Sequence, residues 1–160
     1  MRDYLSHEVR NVAVLGHTGV GKTAVMEAML YYTKASDRFG VTSEGSSLID
    51  FDPEEVKRGL SVYASLVPIE WEDCKINFID TPGYLDFVRG QEVGLAAGDS
   101  ALIVVDAKNA VQPGTQKAWE MAQKKGIPTI FFVNKLDEEN ASFDTAYNEL
   151  RDAFGKAVIP

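Results

Sequence analysis

Apolar runs at residues 9–15, 61–70, 75–80, 101–106 and 129–134 alternate with segments of helical period at 22–32, around 86–97, 115–125 and 142–154. A chain with that alternation buries its strands as a mostly parallel sheet covered by helices on both faces, the doubly wound α/β arrangement. Three of the runs are almost wholly apolar, as strands buried on both faces are. The second and third runs are joined by the short polar stretch Glu72-Asp73-Cys74, which suits an antiparallel hairpin and puts the second strand at a sheet edge. In the last helix Phe143, Ala146, Tyr147, Leu150 and Phe154 share one face and are read as core, while Asp144, Glu149 and Asp152 point outward.

The length of 160 residues suits one such domain and is too short for two ordinary ones. Twenty-four acidic against sixteen basic residues give a net charge of −8, which argues against capture of nucleic acid by the domain's own charge, sequence-specific or otherwise. One cysteine, Cys74, rules out an internal disulfide and a thiolate zinc site, and is read as a reduced thiol in a turn. Two histidines, His7 and His17, leave little for a histidine metal cluster. No apolar run approaches the ~20 residues of a membrane span. Residues 1–10 carry Asp3 and Glu8 with no following apolar core of a signal peptide, so the expected compartment is cytoplasmic. A monomer is the default expectation.

The segment 35–60 is long, polar and rich in Ser, Gly and acids, with Leu48, Ile49 and Phe51 as its brief apolar patch. Inside a compact domain such a segment is functional or disordered. Its acids Asp50, Asp52, Glu54 and Glu55 read as a solvated face rather than a second metal site. The terminal run Ala157-Val158-Ile159-Pro160 looks like the approach to another strand, so a fragment of a longer protein is expected.

Three motifs fall at the ends of predicted strands. Gly16-His17-Thr18-Gly19-Val20-Gly21-Lys22-Thr23 follows the first strand and opens a helix, the context in which this pattern is a phosphate-binding loop. Its glycines let consecutive N–H groups curl around phosphate oxygens. The helix N-terminus adds positive potential, Lys22 neutralises β and γ charge, and the Thr23 hydroxyl can ligate magnesium. Asp80-Thr81-Pro82-Gly83 ends the third strand, where α/β sheets bind ligands. Asp80 can hold magnesium, and the bare Gly83 N–H can approach a γ-phosphate. Asn134-Lys135-Leu136-Asp137 ends the fifth strand. Asp137 can accept from the guanine ring N–H and exocyclic amine, a donor pair adenine lacks, so an adenine there would leave the carboxylate unpaired. Asn134 would address the opposite edge of the base and tie this loop to the phosphate loop, while the Lys135 stem covers the ring face.

With these motifs in this order, nearly the whole chain resembles the GTP-binding domain of translational GTPases, most closely the elongation factor G family. The helix ending Leu30-Tyr31-Tyr32-Thr33, the stretch Glu44-Gly45 through Arg58-Gly59-Leu60-Ser61 and Val105-Asp106-Ala107 add to the likeness. Tetracycline ribosomal-protection proteins and peptide-release-type GTPases share much of it. The resemblance implies a P-loop NTPase fold of small G-protein type over residues 1–160, with GTP or GDP and Mg2+ as ligands and the ribosome as partner. It also implies that 35–61 is switch I and about 80–97 switch II, ordering around GTP and relaxing around GDP.

Three positions depart from that family. An acid is usual where Gly19 stands, a threonine normally closes switch I onto magnesium where this chain has Ser61, and a histidine usually follows the Asp-Thr-Pro-Gly motif where this chain has Tyr84. Ser61 keeps the hydroxyl but loses the β-branch stiffness. Tyr84 is a weak base at neutral pH, although a phenol can orient a water. His17 is read as a loop-packing residue next to the nucleotide. Two readings therefore stand beside each other: a magnesium-dependent GTPase with Lys22, Gly83 and Tyr84 at the chemistry, and a GTP-gated switch with little hydrolysis. A third, an ATP-using P-loop enzyme, conflicts with Asp137.

Overall fold

The computed structural model describes residues 3–160; Met1 and Arg2, part of the segment read as carrying no leader, lie outside the described residues. Five strands form one sheet: β1 (Val9–Leu15), β2 (Ser65–Trp71), β3 (Cys74–Asp80), β4 (Ser100–Asp106) and β5 (Thr129–Asn134). Their order is β2-β3-β1-β4-β5, with β3, β1, β4 and β5 mutually parallel and β2 antiparallel to β3. The helices are α1 (Lys22–Tyr32), α2 (Pro53–Arg58), α3 (Val88–Ala97), α4 (Pro113–Lys125) and α5 (Phe143–Phe154).

Alternation along the central strands explains their apolar runs. Ala13, Leu15, Ile103 and Val105 face Leu95, Ala118, Ala122, Ala146 and Leu150 on one side of the sheet. Val14, Leu102 and Val104 face Val20, Met26 and Ile49 on the other. Each fully buried Leu, Ile or Val contributes about 1.5–3 kcal/mol, so slipping a central strand by one residue would exchange two filled faces. Trp119, Phe131 and Phe154 extend the first face, with ring centroids 5.1–5.5 Å apart.

The hairpin between β2 and β3 turns through Glu72 and Asp73, both at positive φ (44° and 65°), the backbone geometry of a tight two-residue hairpin. Cys74 is the first residue of β3, opposite Trp71, rather than a turn residue. Pro68 sits exposed in β2, as an edge strand permits. β2 begins at Ser65, four residues later than its apolar pattern suggested, because the N–H groups of Val62 and Tyr63 donate to Glu55 Oε1 (2.9 and 3.0 Å) instead of to β3. α4 starts earlier than expected, with Pro113 in its first turn, a position that needs no N–H donor.

Four expectations need correction. The segment 35–60 contains a helical turn at Thr42–Glu44 and the helix α2. Asp50 and Glu55 are buried at 3% and 2% exposure, not parts of a solvated face, because each carboxylate accepts hydrogen bonds that fold the segment back on itself. Glu149 does not simply face solvent: its Oε2 accepts from the Ala110 N–H at 3.1 Å. Phe143, expected in the core, is 44% exposed and stacks on Tyr147.

Candidate nucleotide site

Residues of the phosphate loop gather with Ser61, Gly83 and Tyr84 around a cleft of about 460 Å³, while Asn134, Lys135 and Asp137 at the end of β5 lie outside its lining. Thr18, Gly19 and Lys22 line one wall, Asp50 and Ser61 another, and Gly83 and Tyr84 a third. Gly21 caps α1 at φ 90°, so the first-turn amides of α1 open toward this cleft with no competing side-chain cap. Val20 sends its side chain into the core, which leaves its backbone as the part available to the loop.

Lys22 is buried, and its Nζ donates to the carbonyls of His17 (3.1 Å) and Gly16 (3.4 Å). Burial pushes the ammonium below its ordinary range, opposed by the nearby carboxylates of Asp80 and Asp50. Gly83 passes directly over this lysine: a Cβ there would overlap Lys22 Nζ, the His17 carbonyl and Thr18 Cα. A side chain at 83 would thus displace either the lysine or the phosphate loop. His17 packs, with Nδ1 accepting the Gly114 N–H at 3.3 Å in the first turn of α4. Burial, then the charge of Lys22, lowers its pKa.

Thr23 and Ser61 meet although one opens α1 and the other ends the polar segment. Their hydroxyls are 3.1 Å apart. Thr23 Oγ1 donates to Asp80 Oδ2 at 2.7 Å, and Ser61 Oγ to Asp50 Oδ2 at 3.0 Å. The outer oxygens, Asp80 Oδ1 and Asp50 Oδ1, are buried without a hydrogen-bond partner among the described residues. Two hydroxyls and two carboxylates, each carboxylate with one unpartnered buried oxygen, make an all-oxygen donor set that fits a hard divalent cation such as Mg2+. Asp50 was not anticipated as part of this group, since nothing local distinguishes it from Asp52, which instead caps α2 by accepting the Glu54 N–H.

Burial raises the Asp80 carboxyl from the usual 3.8 to about 6, with Lys22 and the Thr23 hydrogen bond opposing the shift. Between those values the folded protein holds a proton that the unfolded chain releases. The resulting stability is complete below pH 3.8 and is lost as pH rises through 6. In metal-free buffer, urea unfolding should show an Asp80-dependent loss of about 3 kcal/mol across that window. Asp80→Asn should remove this component, and identical pH dependences for parent and variant would contradict it.

On the base side, Asn134 Nδ2 donates to the Val20 carbonyl at 2.9 Å, tying the fifth-strand loop to the phosphate loop. Lys135 stands at φ 62°, and its Nζ lies 3.0 Å from Asp106 Oδ2 and 3.8 Å from Glu138 Oε1. Asp137 is exposed. Burial alone would raise Asp106, but hydrogen bonds from the Lys108 N–H and Lys135 outweigh it and hold the carboxyl below its ordinary range. Gln91, wholly buried on α3, donates from Nε2 to the Pro82 carbonyl at 2.8 Å and braces the turn before Gly83. Neither Asp106 nor Gln91 stands out as a site residue in the sequence, because their partners lie on other elements.

A parallel sheet with a glycine-rich loop leading into α1, a carboxylate at the end of β3 and Asn-Lys-Leu-Asp at the end of β5 defines a P-loop GTPase domain. The model of the family described as elongation factor Tu GTP binding domain matches residues 7–159, and the chain belongs to that family. It is 36% identical over 153 residues to elongation factor G of Chlamydia caviae, an alignment covering 96% of this chain and 22% of that protein. A crystal structure of a Thermus thermophilus protein superposes with a TM-score of 0.89 at 36% identity, covering 92% of this chain and 22% of the other. The chain thus spans about a fifth of the length of either relative, and its domain is elongation factor G-like. Among the described residues no helix is long and apolar enough to cross a membrane.

Proposed function

We propose that this domain binds GTP with Mg2+ and hydrolyses it to GDP and phosphate, as the nucleotide-binding part of a larger cytoplasmic, elongation factor G-like protein that acts on the ribosome. The observation that carries this reading is the convergence of Thr23, Ser61, Asp80 and Asp50 beside Lys22, at the foot of the phosphate loop. Amides of Gly16 to Thr23 and the Lys22 ammonium hold the β- and γ-phosphates. Thr23 and Ser61 hydroxyls with Asp80, and Asp50 behind Ser61, would hold magnesium, which supplies charge neutralisation on the phosphate oxygens. Asn134, Lys135 and Asp137 select guanine, Asn134 acting through its hold on Val20.

Hydrolysis adds water to the γ-phosphorus and breaks its bond to the β–γ bridging oxygen. This chain's part is positional: the Gly83 N–H faces the γ-phosphate and Tyr84, on the cleft wall, orients the water. Residues 35–61 and about 80–97 act as the two segments that order with GTP. Because a phenol is a weaker general base than an imidazole, a GTP-gated switch with slow turnover is the second reading. Single-turnover GTP hydrolysis by the full-length parent, with and without ribosomes, separates them. Ribosome-stimulated hydrolysis by the parent, slower than with a histidine at residue 84, is expected. Tight GTP binding without stimulated turnover would favour the slow switch, and a preference for ATP in competition would overturn both.

A further inference from the structure

Glu27 lies one turn along α1 from Thr23 and is completely buried. Its Oε1 accepts three hydrogen bonds from a single short stretch of the polar segment: the Ser47 hydroxyl at 2.6 Å, the Leu48 N–H at 2.6 Å and the Ile49 N–H at 3.2 Å. The other face of the carboxylate abuts Gly40, where any Cβ would overlap it. The segment therefore wraps this one side chain at two places. Ser47 Oγ also accepts from the Ile49 and Asp50 N–H groups (3.1 and 3.0 Å). Ile49 plugs into the core beside Met26, and Asp50 reaches Ser61, which reaches Thr23.

Beyond Asp50 the anchoring changes. Phe51 is 75% exposed and Val56 42%, and α2 is held mainly by Glu55 folding back on Val62 and Tyr63. A buried carboxylate that accepts two backbone N–H groups and one hydroxyl is a fixed post rather than a passing contact.

We propose that Glu27 is a positioning residue: a buried post on α1 that clamps residues 40 and 47–49 and thereby sets Asp50 and Ser61 against Thr23, so that the γ-phosphate side of the site is assembled from α1. This rests on the GTP-binding reading for its ligand-dependent consequence. Because the clamp arranges the segment that faces the γ-phosphate and metal, losing it penalises GTP far more than GDP.

The test uses the full-length parent with Glu27→Ala, Glu27→Gln and Gly40→Ala. In magnesium buffer, Glu27→Ala should weaken a non-hydrolysable GTP analogue by about tenfold or more while GDP affinity stays within about twofold. Glu27→Gln keeps an acceptor oxygen and should fall between parent and Glu27→Ala. Gly40→Ala, pressing on the carboxylate from the other side, should reproduce the same split. Tryptic cleavage after the exposed Arg58 should accelerate in the variants with or without nucleotide. Equal loss of both nucleotides would mark Glu27 as a general folding residue and overturn the proposal, as would parent-like ratios and cleavage rates. If the parent binds no guanine nucleotide the GTPase reading fails, and cleavage at Arg58 in the nucleotide-free proteins still decides whether Glu27 holds the segment.

Discussion

Replacing Tyr84 with histidine is expected to raise the single-turnover rate of GTP hydrolysis by about 100- to 10,000-fold, the range that a positioned general base contributes. That corresponds to about 3 to 5 kcal/mol of barrier. Tyr84 follows Gly83 directly, lines the cleft and is 43% exposed, so the smaller imidazole opens no hole in the core and faces the same space. A phenol at this place can hold a water by hydrogen bonding but does not remove its proton at neutral pH. Imidazole can do both. The experiment is a rapid-mixing comparison of parent and Tyr84→His, each with and without ribosomes. Strong stimulation of the parent would mean that Tyr84 suffices for hydrolysis. Stimulation confined to the variant would define the natural protein as a GTP-held switch whose release is not timed by chemistry. Equal rates in all conditions would remove residue 84 from the water's environment.

A second large effect is expected at the base. On the proposed reading, in which Asp137 pairs the guanine ring N–H and exocyclic amine, Asp137→Asn exchanges one of two carboxylate acceptors for an amide donor, so one of those groups loses its partner and meets a donor instead. Xanthine, with a carbonyl in place of that amine, matches the new pair. GTP affinity should fall roughly 1,000-fold and xanthosine triphosphate affinity should rise, since a site built to pair a specific donor rejects a mismatched edge by large factors. Asp137 is exposed, which keeps the effect separable from folding. Competition among GTP, XTP and ATP measures it. A GTP affinity within a few-fold of the parent would show that guanine is chosen elsewhere, with Asn134 the next residue to examine.

Much of this molecule is legible without coordinates because its local signals are strong and agree with one another. β1, β5 and α1 begin and end where apolar runs meet turn residues. The hairpin is read from the three residues between two runs, and the edge position of β2 follows from it. The three motifs are contiguous, so their order at successive strand ends is already apparent in one dimension. The helix α2 was missed, yet Asp52, Pro53 and Gly59 spell its cap, first turn and termination; the acidic, polar composition masked a short helix that too few apolar residues advertise.

Legible from neighbouring residues alone, then, are the α/β class, the bounds of the five strands and of α1, α3, α4 and α5 to within a few residues, and the three loops at the C-terminal ends of the strands. Backbone propensity and side-chain period are properties of neighbouring residues, and they survive in one dimension. Tertiary structure alone decided that Asp50 and Glu55 are buried while Asp52 and Glu54 beside them are not. It alone brought Asp50 to Ser61 and Gly40 to Glu27. A buried polar group is defined by what closes within about 3 Å of it, and here those partners come from 7 to 22 residues away along the chain, outside the short windows in which a local pattern is read.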